Sequence, residues 1–327
     1  MDCFKIRKGL NQMTAFTSIE ICAGAGGQAL GLEKAGFKHL ALVEIEKTAC
    51  NTLKHNRPNW NVIEGDLHSW NANEYEGQVD LFAGGVPCPP FSKAGKQLGA
   101  LDERNLFPRA LDLIAQCKPR AVMFENVRGL LDPAFDSYRE WIDGKLREMG
   151  YEPQWKLLQA SDFGVPQLRP RVICVALPPE AAAKFQWPKP SNNAPSVGEA
   201  LYDLMASKGW PGAKDWAEKA NTIAPTLVGG SKKHGGPDLG PTRSKRAWLS
   251  LGVDGGGVAN DVPNAETPAD FIPKLTVRMT ARIQGFPDSW EITGRKTSAY
   301  RQVGNAFPPP VAEAVGRQIR KVLEETQ

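Results

Sequence analysis

Along the first half of the 327-residue chain, apolar positions fall into short β-rich runs separated by stretches with helical spacing. Residues 17–24 (TSIEICAG) read as a strand, 26–36 (GGQALGLEKAG) as a helix ending at Gly36, and 39–45 (HLALVEI) as a second strand. Residues 46–56 then read as a helix stopped before Pro58, 61–66 as a short third strand and 79–85 as a fourth. A helix over 106–117, a fifth strand over 120–127 and a helix over 137–150 follow. Residues 152–160 and 171–177 close the series as an antiparallel pair at the far side of the sheet. Strands alternating with helices in this way predict an α/β, doubly wound sheet covered by helices.

The rhythm breaks near residue 185. From Trp187 to about Pro273 the chain is rich in Gly, Pro and Asn with weak periodicity, yet it carries Trp187, Trp210, Trp216 and Trp248. Disordered segments are poor in large aromatics, so a small, loop-rich second domain is expected. The expected divisions are 14–188, 189–295 and a segment 296–327 whose helical pattern returns to the first domain.

Composition adds little until it is located. The net charge of +4 is mild, but Lys232, Lys233, Arg243, Lys245 and Arg246 stand against Asp238 alone, an excess equal to that of the whole chain. Such a run is either a solvated face or, with glycines between the charges, a loop that contacts phosphates. Six cysteines are scattered singly beside only four histidines, which suggests neither a disulfide framework nor a metal site and fits a reducing, cytoplasmic setting. No apolar run has the length of a membrane span, so no membrane association is expected.

Four stretches carry candidate chemistry. In EICAGAGGQALG, Gly24, Gly26 and Ala29 satisfy a loose dinucleotide fingerprint between strand and helix, and Glu44 falls where a ribose-binding acid belongs. Asp66 would sit beside an adenine; this serves NAD or S-adenosylmethionine equally, and a plain tight turn is the competing reading. In GGVPCPPFS, Cys88 follows the fourth strand at the ligand-binding edge of the sheet, with prolines on both sides aiming the thiol into the cleft. A thiolate there is a strong nucleophile, whereas most lone cysteines are small buried hydrophobes. Glu125, emerging from AVMF at the same edge, is either a partly desolvated proton donor or a helix cap. Gln167, Arg169 and Arg171 alternate into a strand, so the arginines share a face that suits a carbonyl, a phosphate, Glu125 or ordinary surface ion pairing.

Taken together these stretches resemble the DNA cytosine C5 methyltransferases of bacterial or phage type. EICAGAGG is similar to the family's cofactor loop, GGVPCPPFS to its nucleophile motif, ENV to its acid motif and QLRPR to its Gln-x-Arg-x-Arg motif. LTVRMTARIQGFPDSW and VGNAFPPPVA resemble its ninth and last motifs, all in the family's order, with a variable segment where the family keeps its target recognition domain. The resemblance covers nearly the whole chain after the first dozen residues. Two departures stand out: Cys22 where phenylalanine is usual, and Pro89 where glutamine commonly follows the nucleophile.

The resemblance implies a Rossmann-like S-adenosylmethionine-dependent sheet, no metal, and methylation of a flipped-out cytosine in a specific double-stranded DNA sequence. Cys88 would add to C6, protonated Glu125 would donate to N3, and Arg171 would bind the cytosine O2 while Arg169 helps hold Glu125, two assignments open to exchange. Ala23, Gly24, Gly26 and Gly27 would line the cofactor's methionine end, Glu44 would bind its ribose, and Ile45, Asp66, Leu67, Leu106 and Asn305 would complete the pocket, with S-adenosylhomocysteine as product. Ser92, Gln167, Thr226, Leu227, Lys232, Lys233, Arg243, Lys245 and Arg246 are the expected DNA contacts. A monomer is expected, with a restriction endonuclease of the same system as a further partner. The alternatives are transfer-RNA cytosine methylation, a nicotinamide oxidoreductase sharing only the glycine loop and Glu44, and a DNA-binding regulator with a decayed site.

Overall fold

The computed structural model describes residues 15–87, 105–229 and 236–326. Seven strands form one sheet: β1 (Phe16–Ile21), β2 (Phe37–Glu44), β3 (Val62–Glu64), β4 (Leu81–Gly84), β5 (Ala121–Val127), β6 (Glu152–Gln159) and β7 (Pro170–Leu177), in the order β3-β2-β1-β4-β5-β7-β6. The first five run parallel, and β7 inserts antiparallel between β5 and β6. The expected antiparallel pair therefore exists, and its second member is the one that meets the parallel sheet. The chain winds outward from β1 to β3 and returns to β4, so the strand order reverses beside β1, the place where open α/β sheets bind ligands.

Successive strand residues point to opposite faces, and both faces are covered, so the strands read as continuous apolar runs. Leu81, Ala83, Ala121, Met123, Ile173 and Val175 pack on one side with α1 (Gly27–Lys34) and α11 (Pro309–Glu325). Phe82, Val122, Phe124, Cys174 and Ala176 pack on the other with α3 (Phe107–Cys117) and α4 (Asp136–Glu148). Helix α2 (Lys47–Asn56) follows β2 and stops ahead of Pro58, as its pattern predicts. The C-terminal segment returns to the sheet because α11 crosses α1 closely: a Cβ at Gly31 would lie 2.4 Å from the Pro309 carbonyl oxygen.

The region after residue 185 is more helical than expected. Helices α5 (Pro179–Lys184), α6 (Val197–Ala206), α7 (Ala213–Lys219) and α8 (Thr242–Ser250) lead to α9 (Val277–Ile283) and α10 (Lys296–Asn305). Trp210, Trp216 and Trp248 form a second core with Val197, Leu201, Met279 and Tyr300, which is why a glycine-rich segment folds at all. Trp187 instead packs against Phe185 at the edge of the sheet's core. The second half of the basic stretch is not a loop but α8, held down by buried Trp248; Lys245 pairs with Asp238 at 2.7 Å, and Arg243 and Arg246 are exposed.

Candidate active site

A cleft of about 350 Å³ opens at the carboxyl edge of β1, β2, β4 and β5, within the range of small-molecule sites. Its floor is the turn after β1. Gly24 and Gly26 adopt left-handed φ of 54° and 84°, and open space at the Gly24 Cβ position lets a ligand approach the backbone. Cys22 is left-handed too, at φ 53°, a conformation disfavoured for a side chain and stored where the strand turns. Glu44 braces the turn: its carboxylate accepts from the Gly24 and Glu46 amides, each at 2.7 Å. Burial raises the Glu44 pKa, and those backbone donors oppose the rise.

Of the residues expected around a cofactor, Ala23, Gly24, Gly27, Glu44, Ile45, Asp66, Leu67, Leu106 and Asn305 all line this cleft. Gly26 does not; it faces inward, where a Cβ would meet Leu53 and Trp290 at 2.6 and 2.8 Å, so it serves the turn through packing. Ile45 is 62% exposed, an apolar lip on an otherwise polar edge. Asp66 closes its own turn by accepting from the His68 amide, and Arg109 donates to the Leu67 carbonyl. Thr48, Gln302 and Phe307 also line the cleft, as do Glu20 and Gln28; none of these carried a sequence signal beyond proximity to a motif. Burial, and then the neighbouring Glu44, hold the Glu20 carboxyl well above the usual carboxylate range.

At the far end of the same cleft Glu125 lies beside Gly85 and Pro87. Arg171 meets it directly, Nε to Oε1 at 2.7 Å, with both side chains only 12% exposed. Burial raises the Glu125 pKa, while Arg171 and, more remotely, Arg169 pull it down. A Cβ at Gly85 would stand 3.1 Å from Glu125 Oε2, so glycine is what admits the carboxyl to the cleft. Asn126, whose place within ENV was the only signal for it, donates to the Val86 carbonyl at 2.8 Å and so pins the chain two residues before Cys88. Cys88, Ser92, Lys232 and Lys233 lie outside the described residues.

Arg169 does not share the exposed face of Arg171. It is buried, and its guanidinium donates to the carbonyls of Leu227, Gly304 and Ala306. Strand pairing turns Arg171 to Glu125, whereas Arg169, just ahead of β7, turns to the carbonyls and touches no carboxylate. Gln167 accepts from the Leu227 amide and donates to Gln284 Oε1. Gln167 and Leu227 are 0% and 1% exposed, so as expected DNA contacts both need correction: their polar groups are spent on each other. Thr226 is half-buried and donates to the Leu168 carbonyl.

A mixed sheet with a glycine turn, a ribose-type carboxylate and a buried acid–arginine pair along one edge defines a methyltransferase of the Rossmann-like class. The family described as C-5 cytosine-specific DNA methylase matches residues 16–321, and the chain belongs to it. It is 58% identical over 315 residues to the Type II methyltransferase M.NaeI of Lentzea aerocolonigenes, covering 95% of this chain and 76% of that one. It is 57% identical over 314 residues to M.NgoMIV of Neisseria gonorrhoeae, covering 95% and 99%. Among solved structures, a triple mutant of Spodoptera frugiperda DNMT2 superposes with a TM-score of 0.64 at 19% identity, covering 95% of this chain and 100% of that one, a likeness of fold. The activity is that of a DNA (cytosine-5-)-methyltransferase. Among the described residues no cluster could hold a metal ion, and no helix is long and apolar enough to cross a membrane.

Proposed function

We propose that the cleft binds S-adenosylmethionine and that Cys88, Glu125 and Arg171 act on a cytosine flipped from double-stranded DNA. The observation that carries this reading is the single edge on which the glycine turn, Glu44, Glu125 and Pro87, the residue before Cys88, line one cleft. The cofactor supplies an electrophilic methyl group. The Cys88 thiolate adds to C6, and neutral Glu125 gives its proton to N3, so that the electron pair released to C5 makes that carbon nucleophilic. Arg171 orients Glu125 through Nε and offers Nη2, bonded to no described residue, to the cytosine O2. Once C5 is methylated it gives up its proton, the thiolate is expelled from C6, and the N3 proton returns to Glu125.

A duplex hides C6, so the base must leave the stack at a cost of a few kcal/mol. Residues 189–295 serve as the recognition domain, with exposed Arg243 and Arg246 on α8 and Lys232 and Lys233 ahead of it contacting DNA. The relatives' names support a place beside a restriction endonuclease in a Type II system, acting as a cytoplasmic monomer. Incubation with plasmid DNA and labelled S-adenosylmethionine, followed by bisulfite sequencing, tests the whole reading. The expected result is 5-methylcytosine at one short recurring sequence; label confined to RNA would overturn it.

A further inference from the structure

Two side chains at the floor of the cleft break the rule that buried polar groups find partners. Glu20, on β1, is 1% exposed, and its Oε2 bonds to nothing. Gln28, in the first turn of α1, is 4% exposed, and both Oε1 and Nε2 lack partners. Both line the cleft. An apolar residue would fill the place of Gln28 without leaving an unpaired amide in the interior, so the amide needs a ligand to explain it.

The unused atoms specify that ligand. Glu20 Oε2 and Gln28 Oε1 are acceptors, and Gln28 Nε2 is a donor, the complement of an ammonium beside a carboxylate. Strand order gives the position: Asp66 follows β3, Glu44 ends β2, Glu20 sits on β1, and Glu125 lies beyond β4 on β5. The Glu20–Gln28 recess thus falls between the ribose carboxylate and the acid that faces the target base. We propose that Gln28, together with Glu20, binds the α-amino-acid end of the cofactor and is what separates it from adenosine thioethers lacking that end. This rests on the reading of the cleft as the S-adenosylmethionine site.

The test is calorimetric titration of the full chain with S-adenosylhomocysteine and with 5′-methylthioadenosine, which keeps the adenosine and thioether but has no amino acid. Wild type should prefer the former by at least about tenfold. Gln28→Leu should lose about ten- to a hundredfold in affinity for S-adenosylhomocysteine, the range for hydrogen bonds to charged groups, and hold methylthioadenosine within twofold. Its melting temperature without ligand should equal or exceed that of wild type, because an unpaired amide has gone. Unchanged binding of S-adenosylhomocysteine, or parallel loss of both ligands, overturns the inference. Wild type binding neither ligand overturns the cofactor reading itself and the inference with it. If Gln28→Leu does not fold, Gln28→Met and Glu20→Gln carry the same comparison.

Discussion

Asn126→Ala isolates how the catalytic loop is held. Its amide donates to the Val86 carbonyl at 2.8 Å, and its Oδ1 accepts from the Val127 amide at 2.9 Å, in a site where Val86 and Asn126 are both buried. Truncation removes about 1 kcal/mol of net hydrogen bonding and leaves a buried carbonyl unsatisfied, for a loss of about 2 kcal/mol. Against a total stability of roughly 5–15 kcal/mol the variant still folds. The larger effect is kinetic. Val86 is two residues from Cys88, and a displacement of about 1 Å at a reacting atom costs about a hundredfold in rate, or about 2.7 kcal/mol of barrier. Single-turnover methylation at saturating cofactor should therefore slow by about a hundredfold, while calorimetric affinity for S-adenosylhomocysteine stays within twofold. A rate within threefold of wild type would refute the tether, and equal losses of rate, affinity and melting temperature would show general damage instead.

Three further outcomes are expected. Cys88→Ser should abolish turnover and retain cofactor binding by calorimetry; near-normal methylation would remove Cys88 from the mechanism. Replacing Lys232 and Lys233 with alanine should flatten the slope of log affinity for DNA against log salt by about 1.8 if each meets one phosphate, measured by fluorescence anisotropy, and an unchanged slope would exclude that role. Buried His39, bonded to Ser18 Oγ and the Ala29 carbonyl, has its pKa pushed down from 6.5 to about 4 by burial. The unfolded chain then binds a proton that the fold does not, so this contribution is whole above pH 6.5 and falls away toward pH 4, by roughly 3 kcal/mol. Urea midpoints at pH 7 and pH 5 should converge less in wild type than in His39→Gln; identical pH slopes would refute it.

Local pattern and chemistry determined a good deal by themselves. Strand and helix periods in the first half are properties of short segments, because alternation and 3.6-residue spacing need no distant partner. The same holds for the glycine turn, where Gly24 and Gly26 take backbone angles that few other residues accept, and for Glu44 at the end of its strand. Tertiary structure alone decided matters that depend on contacts between distant segments. Insertion of β7 beside β5 brings Arg171 to Glu125, while Arg169 meets three carbonyls instead. Folding also buries Gln167 against Leu227 and makes a helix of a stretch whose glycines and charges read as a loop, since the anchoring of Trp248 in a remote core outweighs local propensity. The empty-handed amide of Gln28 belongs to the same class. Its residue type was visible in the sequence, but only the packing around it shows that nothing in the described chain answers it.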